Sequence, residues 1–213
     1  MKSTSTLLIV TILTIAASAV HAQISKGVNA LGGNLSFNTG TSKSSTGLKQ
    51  TGTNFSISPS FMTAYENNRA VGFNVNYGYS KNSFGYQKTN TYGAGIFLRQ
   101  YKSLGKGFYI FAQEALAFDY SKNTTEFSDS LNVPNNKQLY IGVSVNPVLA
   151  YDVSKHFQLE LLFFNNLIGA SYTYGTNTSI SSTIKTDNFS LGANLDASQL
   201  TSLNIGAKIF FDR

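Results

Sequence analysis

The sequence predicts an all-β chain, an eight-stranded antiparallel up-and-down transmembrane β-barrel with long outer loops at one end and short turns at the other. Three observations carry this. Beyond residue 23, apolar residues alternate with small or polar ones, which places them on opposite faces of a pleated backbone. The connections between alternating segments run long, short, long, short in chain order. The polar face consists mostly of Gly, Ser, Asn and Ala with few charges, which suits a crowded interior better than a water-facing exterior.

Composition narrows the classes further. The chain has 213 residues, about one domain, and only 12% are charged while 13% are aromatic, which argues against disorder. A mean hydropathy of -0.07 leaves no series of spanning helices. The formal charge is +6, but the basic residues stand singly rather than in runs, so nucleic acid is not an expected partner. The chain contains no cysteine. Disulfides, thiolate metal sites, cysteine nucleophiles and a lipid-modified N-terminal cysteine are therefore excluded. It contains no tryptophan either, so tyrosine and phenylalanine must provide any interfacial anchors.

Taken in order, residues 1–22 read as a cleaved export signal: Lys2, an apolar run from Leu7 to Val20, then Val20-His21-Ala22 before the expected cleavage at Gln23. The run is shorter than the roughly 20 residues a spanning helix needs. Residues 23–213 then form the barrel, with strands near 27–37, 53–64, 69–80, 89–101, 107–120, 138–151, 156–173 and 200–212. In the third strand Val71, Phe73, Val75, Tyr77 and Tyr79 oppose Gly72, Asn74, Asn76, Gly78 and Ser80. In the sixth, Leu139, Ile141, Val143, Val145, Pro147, Leu149 and Tyr151 share a face. The fifth is less clean, because Glu114 falls on the parity of Phe108, Ile110, Leu116 and Phe118; its faces stay unassigned. The seventh changes phase, and a bulge near Asn165 would account for it. Residues 189–195 alternate with the parity of the last strand, either as its outward extension or as a separate strand.

The long connections, 38–52, 81–88, 121–137 and 174–188 or beyond, all fall at one end, which is the arrangement of outer-membrane barrels with short periplasmic turns. Alternation alone does not say which face is inward. A soluble lipocalin-like barrel, with its apolar face inside around a small ligand, is the alternative. Membrane thickness favours the inverted form: the apolar face from 139 to 151 spans about 40 Å along the strand at ~3.3 Å per residue, roughly 28 Å once tilted by about 45°. Tyr77, Tyr79, Tyr92, Tyr151 and Tyr172 lie toward strand ends on that face, as an aromatic girdle requires.

Several segments carry a resemblance: Lys26-Gly27, Leu31-Gly32-Gly33-Asn34-Leu35-Ser36-Phe37, Phe55-Ser56-Ile57-Ser58-Pro59-Ser60, Ala70-Val71-Gly72-Phe73 and Gly95-Ile96-Phe97-Leu98-Arg99-Gln100-Tyr101. Through them residues 23–213 resemble the small outer-membrane β-barrel, porin-like family of Gram-negative bacteria. The resemblance implies an integral outer-membrane protein surrounded by lipid and lipopolysaccharide. It also implies that the insertion machinery reads an aromatic in the last strand. Here Phe210 and Phe211 precede Asp212 and Arg213, so the aromatic is not terminal.

Little points to catalysis. The only histidine after the signal is His156, in a turn expected on the periplasmic side, away from where a serine–histidine lipid A deacylase would work. Glu114, Asp119 and Glu160 show no two-carboxylate spacing, and no metal or phosphate-loop pattern occurs. The chain is expected to be non-enzymatic, without cofactor, and a monomer; a lipid A-modifying barrel enzyme, including a palmitoyltransferase type, is the further alternative. Arg99, Glu160 and Lys208 fall on the polar parity. A charge inside a barrel must be paired, and eight strands leave room only for side chains, so these three should form a salt-bridged plug in a closed or nearly closed lumen. Lys43, Lys49, Lys81, Lys88, Lys122, Lys137 and Lys185 fall on the outer side against Glu126, Asp129 and Asp187. That basic loop surface would suit lipopolysaccharide phosphates. The expected role is structural or interactive: membrane integrity, adhesion or weak passage of small solutes.

Overall fold

The computed structural model describes residues 24–43, 49–82, 87–125, 135–162, 167–178, 182–193 and 204–211; the export signal and the terminal Asp212-Arg213 lie outside them. The described residues form ten strands: β1 (Asn29–Lys43), β2 (Lys49–Glu66), β3 (Arg69–Asn82), β4 (Gln87–Gly105), β5 (Phe108–Thr125), β6 (Asn135–Asp152), β7 (Phe157–Leu162), β8 (Ile168–Thr178), β9 (Thr183–Ala193) and β10 (Asn204–Phe211). All neighbours are antiparallel. Eight of them, β1 through β7 and β10, close into a ring through the β5–β6 and β10–β1 pairings. Closure removes sheet edges that lipid could not satisfy.

The tight turns gather at one end. Asn67-Asn68 joins β2 to β3 with Asn68 at φ 63°, and Gly105-Lys106-Gly107 joins β4 to β5 with φ of 86°, 51° and 82°. Two of those three residues are glycine, which reaches this region without Cβ strain. The segment before β1 folds against the same end: Ile24 N donates to Asn68 Oδ1 at 3.1 Å and Gly27 N to Ala64 O at 2.8 Å.

The seventh stave breaks where the parity change predicts. β6 pairs with β7 up to Val148↔Leu162 and resumes with β8 at Val145↔Ile168. Between these pairs β6 has two residues, 146 and 147, and the other side of the ladder has five positions in sequence, 163–167; the odd excess flips the parity beyond the break. Asn165 itself lies outside the described residues. Of the alternation over 189–195, the described part to Ala193 belongs to a separate strand: β9 begins at Thr183, keeps the parity of β10, and among the described residues pairs with β8 alone. The expected 174–188 loop is therefore largely strand.

The other strands also outrun their expected limits at the loop end, β1 to Lys43 and β2 from Lys49 with Lys43↔Lys49 still in register. Ser, Thr, Asn and Gly there lack apolar alternation, so the pattern is silent, yet ladder hydrogen bonding continues. The faces of β5 are settled. Tyr109, Phe111, Gln113 and Asp119 point inward; Phe108, Ile110, Glu114, Leu116, Phe118 and Tyr120 point outward with their partners on β4 and β6.

Outward residues along the belt are mainly apolar, with Leu31, Leu35, Phe73, Ile96, Val143 and Ile209 all exposed. The buried core, made of Ile24, Val28, Met62, Tyr101, Tyr109, Phe111, Val148 and Phe210 among others, fills the lumen at the turn end. The interior is thus not polar throughout.

Candidate functional site

Two constellations stand out, one inside the barrel and one around its rim. Inside, β4 presents Phe97, Arg99 and Tyr101 on successive inward positions. β7 presents Gln158 and Glu160, and β10 presents Lys208. The polar parity of the sequence selects Arg99, Glu160 and Lys208, and the fold brings them together. Arg99 Nη1 donates to Glu160 Oε1 at 2.6 Å and Nη2 to Oε2 at 3.2 Å, a bidentate pair. Both side chains are less than a tenth exposed. Arg99 Nε and Nη2 also donate to Gln113 Oε1 at 2.9 and 2.6 Å, and Nη1 to the Tyr101 hydroxyl at 3.2 Å.

The guanidinium carbon lies 4.8 Å from the Phe97 ring centroid and 4.5 Å from that of Phe111, so the cation rests between two aromatic faces. Lys208 Nζ donates to Ser60 Oγ at 3.0 Å and sits 5.8 Å from the same Phe97 ring. The bridge ties β4 to β7, three staves apart in the ring, with the apolar core beneath it. Above it the inward residues are small and polar: Asn76 Nδ2 donates to Asp119 Oδ1 at 2.7 Å, and the Thr91 and Ser121 hydroxyls are 2.8 Å apart. Chemically the arrangement is a buried, charge-paired and hydrogen-bonded cluster that bridges the lumen. Gln113, Ser60, Tyr101, Phe97 and Phe111 do not stand out in the sequence. Shared parity with Arg99 would have found Phe97 and Tyr101; Ser60 needed the fold.

Two glycines make room for the seal. A Cβ on Gly72 would meet the Phe97 ring and the Phe61 carbonyl, and one on Gly32 would meet Lys208 and the Ala207 carbonyl. Large inward side chains thus lie over bare backbone on the neighbouring strand.

Around the loop end, the seven lysines expected on loops stand instead on strands. The register makes them meet: Lys43 pairs with Lys49, Lys81 with Lys88, and Lys122 with Lys137. Each of the first three outer hairpins thus carries one such register pair, and Lys81–Lys88 and Lys122–Lys137 stand on the outward parity of their strands. Lys81, Lys122 and Lys137 stand two positions from Tyr79, Tyr120 and Leu139 on the same face, immediately beyond the apolar belt. Lys185 lies exposed on β9 two residues from Asp187. Glu126 and Asp129 lie outside the described residues.

His156 sits in the exposed β6–β7 turn with Nδ1 3.2 Å from the Phe210 carbonyl. Glu114, Asp119 and Glu160 diverge: outward, upper lumen and seal. Among the described residues no group of three His, Cys, Asp or Glu could hold a metal.

No protein-family model matches the chain, and no curated protein matches it. Solved structures do. A major outer membrane protein of Thermus thermophilus is 9% identical, with a TM-score of 0.50 over 90% of this chain and 100% of that one. Neisserial surface protein A is 16% identical at a TM-score of 0.39, covering 90% of this chain and 100% of its own. The translocator domain of the autotransporter NalP from Neisseria meningitidis is 7% identical at 0.43, covering 97% and 94%. At such identities the likeness is one of fold. With its closed eight-membered ring and apolar exterior, the chain has the fold of the small outer-membrane β-barrels.

Proposed function

We propose that this is a non-enzymatic integral protein of a Gram-negative outer membrane, exported through a cleaved signal. On this reading its sealed barrel serves envelope integrity, and its rim binds the phosphates of lipopolysaccharide. The observation that carries the reading is the facing of lysine by lysine in three successive hairpins. Like charges directly opposite each other on a sheet face are destabilising, and an anion held between them offsets that repulsion. The position of Lys81, Lys122 and Lys137 supports a lipid phosphate as the anion, because they stand at the edge of the apolar belt, where outer-leaflet headgroups begin. Each lysine near such a surface contributes about 1 kcal/mol. The Arg99–Glu160 seal argues against solute passage as the main task.

The test is lipopolysaccharide binding by the full-length protein in detergent micelles, with Lys43, Lys49, Lys81, Lys88, Lys122, Lys137 and Lys185 replaced by glutamine together. A loss of about ten-fold or more, with a shallower salt dependence, supports the reading. Unchanged binding by a variant that still shows the heat-dependent gel shift of a folded barrel refutes it.

A further inference from the structure

Above the Arg99–Glu160 bridge the lumen changes character. Its inner face there carries Gly, Ala, Ser, Thr, Asn and Gln almost throughout, and among the described residues Asp119 is the one acidic or basic group on it. Asn76 Nδ2 donates to Asp119 Oδ1, but among the described residues no cation of the chain pairs with this carboxylate. An enclosed charge is costly until a counter-charge joins it. An ionisable side chain inside a membrane-spanning structure marks a site of function by default. The counter-charge of Asp119 comes from outside the chain.

The surroundings say what kind of cation fits. Tyr140 stands directly opposite Asp119 on β6, with Cβ atoms about 5 Å apart, and its hydroxyl has no hydrogen-bond partner among the described residues. A Cβ on Gly93 would meet Asp119 and Asn76, and one on Gly142 would meet the Tyr140 hydroxyl and ring. These side chains thus lie over bare backbone along the wall instead of crossing the lumen. One row lower, Gly95, Ala117 and Gly142 are neighbours across the ladder, too small to fill the space between them. A hollow of about 210 Å³ opens beside Tyr140, lined on its inner side by Gly169, Ser171, Ser190 and Gly192. At ~30 Å³ per water it has room for about seven waters, or for one small molecule. Asn34 and Ser190, both on the inner face, are exposed, so water reaches this space, whereas Ile24, Tyr109 and Phe210 fill the turn end.

We propose that the upper lumen is a binding cup for a small hydroxylated amine, about the size of one amino sugar, which enters from the loop end. Eight strands can enclose one small ligand in this way. The ammonium donates to the Asp119 carboxylate and rests against the Tyr140 ring, as cations do on aromatic surfaces. The ligand hydroxyls meet those of Tyr140, Ser171 and Ser190. Arg99, Glu160 and Lys208 form the floor, so the ligand is held and not passed. The single negative charge selects an amine over a neutral polyol, and the cup is independent of the lysines on the outer rim.

The probes are glucosamine and glucose, titrated by calorimetry into the full-length protein in detergent micelles. Glucosamine should bind saturably and at least about ten-fold more tightly than glucose, the margin of one hydrogen bond to a charged group. Asp119→Asn keeps the shape of the side chain but removes its charge, and it should abolish that preference. Tyr140→Leu should weaken glucosamine about two- to five-fold, as loss of a cation–aromatic contact does. Glu114→Gln, which removes a carboxylate from the outer wall of the same strand, should leave both affinities unchanged. Heat-dependent gel mobility verifies folding of each variant. Absence of saturable glucosamine binding, equal affinity for the two sugars, or a folded Asp119→Asn variant that keeps the preference overturns the proposal.

Discussion

Replacing Glu160 with leucine tests the seal most directly. The carboxylate receives both terminal nitrogens of Arg99, at 2.6 and 3.2 Å, and it lies in the same buried cluster as Lys208, which is 1% exposed. Leucine keeps the bulk but leaves two cations enclosed with no counter-charge. Removing one partner of a buried pair costs about 3–5 kcal/mol, and the remaining Gln113, Tyr101 and Ser60 contacts compensate dipoles, not charge. The assay is urea unfolding in detergent micelles, followed by loss of the fast-migrating folded band. Arg99→Met in the Glu160→Leu background should recover part of the loss, since it removes one of the two stranded cations while Lys208 stays without a counter-charge. If Glu160→Leu lowers stability by less than about 1 kcal/mol, the range of an exposed pair, the bridge does not close the lumen. If Arg99→Met recovers nothing, stranded charge is not the cause of the loss.

Three further outcomes follow from the geometry. Gly72→Val should cost about 1–3 kcal/mol, as overpacking does, because its Cβ meets the Phe97 ring and a fixed carbonyl, whereas Gly40→Ala, with open space around it, should stay within about 0.5 kcal/mol; urea unfolding of both distinguishes packing from mere glycine loss. Lys122→Glu should convert the like-charge Lys122–Lys137 cross-strand pair into an opposite one, stabilising the barrel by about 0.2–1 kcal/mol while weakening lipopolysaccharide binding, so unfolding and binding measurements should move in opposite directions. The unboiled protein in SDS should run ahead of the boiled one, as a detergent-resistant barrel does; a soluble periplasmic protein without that shift would refute the membrane assignment.

How much is legible in the sequence depends on where a residue sits relative to the membrane. Between the aromatic ends, lipid on one side and a narrow lumen on the other impose strict alternation, so β3 and β6 are readable residue by residue. Beyond those ends both faces meet water and the alternation fades, so the outer parts of β1, β2 and β9 read as loops although their backbones stay paired. The lysines suffer from this. Their number and side are evident, but their facing is a property of register, and register above the apolar belt has no composition signal. Arg99, Glu160 and Lys208 are accessible because a charge on the polar parity of a narrow barrel has few places to go. Gln113 and Ser60, small polar residues among many, carry no such mark.

The fifth strand shows why one pattern-breaking residue can be more informative than a clean strand. With Glu114 on the apolar parity, either assignment of faces places something polar in lipid. Inverting the strand would bring Glu114 inside but would send Gln113 and Asp119 outward. It would also remove Tyr109 and Phe111 from the lumen, and with Phe111 one of the two rings that enclose Arg99. Gln113 would leave as well, taking the two hydrogen bonds it accepts from the guanidinium. The observed orientation confines the cost to one carboxylate, and an acidic residue on the lipid face costs less than the roughly 2–4 kcal/mol of a midplane Arg or Lys. The seal therefore dictates the face, and the face leaves Glu114 in the membrane beside Gln100.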